Sequence, residues 1–341
     1  MFILIVFIIF ILLLLLPFIP GIFELIKKED SEPLFISMDY TRNPRYFGKS
    51  YKMLLGRATS GLDLSPGFKD IKLSKNEKIE IAQSLDISEK REINHLLYVI
   101  GNLRSESHVR FDKEVYVTGD AIIGPNNMIQ ALYSEGEVKI SEGTQFRRWL
   151  DADGNITVGI NCDLGISISS GNKIYLANGC IFRRLYGMPV TTGHNQASDF
   201  QYPAEILFSK EYALPDASFI RKDDNTLPPG TIINNNIVFT DDIRIGSGAK
   251  IRGTIKSYGN IYLENDSVIC GNVFADGDIF IGRNALISGH LFSQGSIFIS
   301  EQTLISRPDK IKSIIAKKEI QIEQNVVIYG FVATEGHGGI L

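Results

Sequence analysis

Residues 243–260 read IRIGSGAKIRGTIKSYGN, residues 261–278 IYLENDSVICGNVFADGD and residues 279–296 IFIGRNALISGHLFSQGS, one pattern stated three times with a period of eighteen. Aliphatic residues open each unit (Ile243, Ile261, Ile279) and return at the third, ninth and thirteenth places. Small residues hold the seventh place (Ala249, Ser267, Ala285), and glycine holds the eleventh (Gly253, Gly271, Gly289) and seventeenth (Gly259, Gly277, Gly295). Glycine is expected there for corners that need positive φ. A fixed period of this length marks a solenoid, in which each unit buries its apolar edge on the next. Eighteen residues make three short strands and three corners, so the expected fold is all-β, a three-sided β-helix. The spacing alone does not choose its hand, because left-handed hexapeptide helices share the arithmetic.

The array has a weaker copy upstream. VKISEGTQFRRWLDADGN begins at Val138, ITVGINCDLGISISSGNK at Ile156 and IYLANGCIFRRLYGM at Ile174, while Val115 to Val138 is a step of twenty-three. Ile297 to Ile320 is also twenty-three, with RPDKIKSIIAKKE expected as an outward loop, and the matching insertions suggest duplicated halves. The expected organisation is a transmembrane helix at 1–26, a linker at 27–70, a small mixed capping region at 71–114, a first array at 115–188, an insertion or junction at 189–230 and a second array at 231–341. A cap is expected because an open solenoid end exposes apolar side chains and unpaired strand edges.

Phe2–Phe23 is apolar and uncharged, long enough as a helix to cross a bilayer core of about 30 Å. No Lys or Arg precedes it and no small-x-small cleavage site follows, so it reads as a retained anchor rather than a signal peptide. Lys27, Lys28, Arg42, Arg45, Lys49, Lys52 and Arg57 all follow the span, which places the bulk of the chain in the cytoplasm.

Of 341 residues, 44% are hydrophobic and 22% charged, enough to fold and too apolar for disorder. The net charge of -4 and pI near 5.8 carry no basic footprint, so no nucleic-acid partner is expected. Cys162, Cys180 and Cys270 lack ligand spacing and read as core residues. His95 and His108 have no Cys or carboxylate at ligand spacing either. No catalytic, cofactor or metal site is expected. The insertion carries His194 and Asp199, a weak base-and-orienter pair, and His290 sits at the twelfth place of its coil, equivalent to Thr254 and Asn272.

Two surfaces are expected to do work. Arg147 and Arg148 recur two coils on as Arg183 and Arg184, which would form a basic column about 10 Å long, able to hold an anionic polymer or lipid headgroups. The last coil, IQIEQNVVIYGFVATEG, is followed only by His337–Leu341. Its Ile320, Ile322, Val326, Ile328 and Val332 are expected to meet the end of another solenoid, as an exposed strand edge recruits a partner.

The phrases IGSGAKIRGTI, VICGNVFADGDIFIG and ALISGHLFSQGSIFIS resemble the bactofilins, polymer-forming bacterial proteins. The likeness is good over 243–300, fair over 320–336 and poor over 115–186, where Arg148, Ile166 and Arg184 replace the eleventh-place glycine. It implies a right-handed β-helix that stacks end to end, often at the membrane. The expected function is a membrane-anchored scaffold whose partners are further copies of itself, the membrane and cell-envelope proteins. The alternative is a hexapeptide-repeat acyltransferase acting on an envelope or small-molecule substrate, with a loop histidine as base. A carbohydrate-acting β-helix would need facing carboxylates, hinted at only by Asp151 and Asp153.

Overall fold

A computed structural model describes residues 43–73, 76–88, 90–193, 220–222, 225–308 and 310–341, with four helical positions, Phe7, Phe10, Leu15 and Ile19, whose side chains are exposed. The remainder of the expected span at 1–26, and His194 and Asp199, lie outside the described residues. Among the described residues no helix is long and apolar enough to cross a membrane.

The chain forms a β-solenoid whose short strands pair in parallel from coil to coil. In the second array three ladders define three sides. Ile243, Ile261, Ile279, Ile297 and Ile320 stack on the first. Ile251, Ile269, Ile287, Ile305 and Ile328 form the second, and Ile255, Val273, Leu291, Ile314 and Val332 the third. All are essentially fully buried, and each such aliphatic side chain removed from water contributes roughly 1.5–3 kcal/mol. The seventh-place Ala249, Ser267 and Ala285 are buried where the corner leaves no room for more.

Apart from Gly330 at the eleventh place of the last coil (φ 146°), positive φ falls elsewhere than the glycines at the eleventh and seventeenth places. It sits at the sixth place, on Gly248, Asp266, Asn284, Gln302 and Asn325 in the second array and on Asn126, Gly143, Asn161 and Gly179 in the first. Asn and Asp tolerate this region best after glycine. The eleventh-place glycines serve close approach instead. A Cβ on Gly271 would lie 2.3 Å from the Gly253 carbonyl oxygen, and one on Gly289 2.0 Å from that of Gly271. Corner amides are satisfied by side-chain ladders: Asp242, Asn260 and Asp278 each accept, through Oδ1, the amide eighteen residues on at 2.7 Å.

In the first array the expected step of twenty-three at Val115 is absent. Leu103, Ala121, Val138, Ile156 and Ile174 form one continuous ladder, and Val115 belongs to the neighbouring side with Leu97, Leu132 and Leu150. In the second array Ile297 does pair with Ile320, but the segment expected as an outward loop contains the third-side strand Lys312–Ala316, so the extra residues lie only between Ile305 and Lys312 and the matched insertions that suggested duplication do not exist.

Parallel coil pairing also reaches back to Asn76–Ile87, which stacks on Leu96–Ser105. Capping of the first coil therefore falls to the strand Gly67–Lys72, which spans the expected linker–cap boundary and pairs antiparallel with that coil, while the expected linker also holds a helix, α1 (Tyr46–Thr59). Helix α1 lies on one flank of the first array. Its Tyr51 and Leu55 join Tyr116, Tyr133 and Trp149 in a cluster separate from the solenoid core. Gly48 permits the approach, since a Cβ there would come 2.4 Å from that of Asp151.

Candidate functional site

The two arrays meet at their last coils. Ile181–Thr192 and Val327–Ile340 are much longer than the usual three-residue strands, and they pair antiparallel with each other. Leu185 lies opposite Val332 and Val190 opposite Ile328. Further bonds close the seam: the Asn325 amide donates to the Thr192 carbonyl at 2.9 Å, the Thr192 hydroxyl to the Glu323 carbonyl at 2.6 Å, and the Ile340 amide to the Cys180 carbonyl at 2.9 Å. The tail 337–341 is thereby held between the arrays, with His337 opposite Glu319 on one side and Gly338 opposite Phe182 on the other.

This overturns the expected assembly interface. Ile320, Ile322, Val326, Ile328 and Val332 are no more than 1% exposed, and the chain's own first array occupies the edge they would have offered.

Where the seam passes a corner, its register slips between Phe182/Gly338 and Arg184/Ala333, leaving residues 334–337 without a partner across the seam opposite Arg183. Two adjoining hollows open there, of about 730 and 550 Å³, and Arg183 and Ile166 line both. Arg147 enters the larger; Arg184 and Lys317 enter the smaller. Gly165 occupies the coil between Arg147 and Arg183, so no side chain there separates them. The exposed Ile166 and Ile181 give the floor an apolar strip, while Asp163, Glu319 and Glu335 add acidic rim.

The expected column is therefore divided. Arg147 faces Asp112 at 3.5 Å and Arg148 pairs with Glu114 at 3.1 Å. Arg148 lines a different hollow, about 710 Å³, beside α1 with Arg57 and Lys113. Arg183 and Arg184 are exposed and have no ion-pair or hydrogen-bond partner among the described residues. Guanidinium groups stay charged and bind carboxylate or phosphate with two parallel donors. This corner of the seam is accordingly the part of the described surface best suited to an anionic group.

The other chemical candidates resolve into structure. The His290 Nδ1 accepts the Ser313 amide at 3.0 Å and its own amide donates to Asn272 at 2.9 Å, one rung of a corner ladder. Burial, with Lys312 nearby, lowers its pKa to about 4. Asp151 and Asp153 do not face a groove. They hold Arg45, whose Nε donates to Asp151 Oδ1 at 2.8 Å and whose Nη2 donates to Asp153 Oδ1 at 2.6 Å. Burial raises the Asp151 pKa to about 6 despite the guanidinium, while Arg45 and Tyr133 hold Asp153 below its ordinary value against partial burial. Cys162 and Cys180 are buried, their thiols directed at the carbonyls of Ser141 and Gly159. His95 contacts Glu80 at 2.6 Å, and His108 takes positive φ at a corner. Among the described residues no group of three His, Cys, Asp or Glu side chains is arranged to hold a metal.

The Arg45 clasp has a faint sequence signal. Gly48, Tyr51, Leu55 and Ala58 follow helical spacing within a segment free of acidic residues. No family model, curated protein or solved structure matches the chain.

Proposed function

We propose that the chain is a membrane-tethered β-solenoid scaffold of the bactofilin kind, which stacks end to end with a second copy and presents the seam groove to cell-envelope partners. The antiparallel seam carries this reading. Two solenoid ends joined through backbone hydrogen bonds and aliphatic contacts are what end-to-end assembly requires, and this chain already joins two of its own. With that seam satisfied, self-association moves to the outer coil of the second array, Ile220–Lys222, Thr226–Leu227 and Ile232–Ile233. Among the described residues these strands pair only inward, and Ile232 is 64% exposed. The apolar run 2–23 followed by basic residues supports a tether with the solenoid on the cytoplasmic side. Repeat positions given over to core, corner and ladder roles support a structural rather than an enzymatic part.

The test is negative-stain microscopy and light scattering of the full chain in detergent. Stacked particles that Ile232→Lys returns to single solenoids are expected. Single solenoids in the wild type, or stacks indifferent to Ile232→Lys, would overturn the interface.

A further inference from the structure

Helix α1 has two faces. Gly48, Tyr51 and Leu55 are buried on the flank of the first array. On the opposite side Tyr46, Phe47, Met53 and Leu54 are 61%, 37%, 52% and 53% exposed. Their positions, with Ser50 and Arg57, follow the three-and-four spacing of one helical stripe. An apolar stripe on an already docked helix is not part of the fold's own packing, and the described residues place nothing over it.

Its charge identifies what covers it. Residues 41–62 contain Arg42, Arg45, Lys49, Lys52 and Arg57 and no acidic residue, in a chain of net charge -4. Arg45 is consumed by the Asp151 clasp and Lys52 lies near Glu135 at 3.2 Å. Lys49 and Arg57 stay on the outer side, and the Arg57 guanidinium rests against the Met53 sulfur at 3.6 Å. Aromatic and long aliphatic side chains flanked by basic residues that can snorkel match the interface of an anionic bilayer. A protein groove receiving this helix would instead have to present an acidic rim. Twenty-two residues separate the stripe's first residue, Tyr46, from the apolar run that ends at Phe23. A tether of that length keeps the helix at high effective concentration near the bilayer, so a weak interfacial affinity suffices.

We infer that the outer face of α1 lies in the headgroup region of an anionic membrane, laying the first array flat against it instead of letting the solenoid swing from its anchor. The inference rests on the tether proposed above, and its test separates the two. The full chain carrying Cys270→Ser and Met53→Cys is labelled with an environment-sensitive fluorophore and reconstituted into vesicles of phosphatidylglycerol and phosphatidylcholine, or of phosphatidylcholine alone. Cys162 and Cys180 are buried, and Arg283→Cys, at a side chain 64% exposed on the second array, supplies the aqueous reference. In anionic vesicles the probe at 53 is expected to emit to the blue of the probe at 283 and to be quenched by spin-labelled lipid. Lys49→Glu with Arg57→Glu, which leaves the buried stripe untouched, is expected to abolish the shift while the protein stays in the carbonate-resistant pellet. Emission at 53 matching that at 283, with the protein still in the pellet, would overturn the inference and leave the anchor standing. Extraction by carbonate with the shift at 53 intact would support the helix and count against the span.

Discussion

Asp151→Asn isolates the energetics of the clasp that seats α1. The carboxyl is 1% exposed, and its pKa is raised to about 6 by burial, against the pull of Arg45. Relative to an ordinary carboxyl near 4, a shift of about two units corresponds to roughly 3 kcal/mol. The sign follows from which state holds the proton more tightly. The docked state does, so the contribution is fully present below about pH 4 and is lost as pH rises through about 6. Asp153 titrates the other way, with a contribution present above its ordinary value and lost only at lower pH. Lys52, Tyr133 and Glu135 complete the surroundings, and burial with Asp153 as partner pushes the Tyr133 hydroxyl up, out of this window.

Trp149 gives a local readout. It is the only tryptophan in the chain, 5% exposed, with its ring 5.6 Å from that of Tyr51 on α1. Release of the helix therefore exposes it, shifting its emission to the red and opening it to acrylamide. In the wild type the urea midpoint for this local change is expected to rise between pH 7 and pH 4.5, by roughly 2 kcal/mol of the full contribution. In Asp151→Asn the midpoint is expected to be flat over the same window. A wild-type midpoint that falls on acidification, or an unchanged slope in the variant, would refute the assignment.

His290→Asn tests the opposite sign in the same window: its lowered pKa contributes stability present above about pH 6.5 and lost as pH falls through about 4. An asparagine continues the Asn272 ladder, so global unfolding followed by circular dichroism should lose an acid-side slope of roughly 3 kcal/mol. Gly48→Ala and Gly56→Ala form a matched pair on one helix. The first places a Cβ 2.4 Å from Asp151 and should release Trp149 at lower urea by about 1–3 kcal/mol; the second meets nothing within 4 Å and should stabilise by roughly 0.5–1 kcal/mol. Gly338→Val drives a side chain into the Phe182 ring, 2.2 Å from the ideal Cβ, so hydrogen exchange at the Ile340 amide should accelerate while the Ile261 and Ile279 amides stay protected.

The second array was legible because one coil determines the next: aliphatic residues recur every eighteen places and each meets its own equivalent in a parallel ladder. The first array was legible in kind and misread in phase. Val115 looks like a coil opening, yet it lies one side away from Val138, and the steps 103 to 121 to 138 differ by a residue. The repeated glycines suggest turn formers, whereas most are contact positions, because a sequence shows that a Cβ is missing but not which backbone would strike it. Helix α1 was hidden for a different reason. Its decisive bond joins Arg45 to a carboxylate 106 residues away, and no local period announces that. The seam was the least legible feature, since antiparallel edge pairing uses backbone groups that every sequence carries.

The direction of that seam constrains assembly on the proposed function. Among the described residues, joining last coil to last coil leaves a first coil at each outer end, and the two are not equivalent. The first array begins under the strand Gly67–Lys72, which carries Lys69, Asp70 and Lys72 along the edge it covers. Charged residues on an edge oppose further pairing. The outer coil of the second array offers unpaired strands and Ile232 among the described residues. A molecule with one blocked and one open end closes after a single isologous contact, whereas an open filament needs two complementary ends. The expected assembly is therefore a pair of chains four arrays long, and light scattering should give a concentration-limited dimer. Long filaments in the same preparation would mean that the Gly67–Lys72 edge also joins, and would place the growth point at both ends.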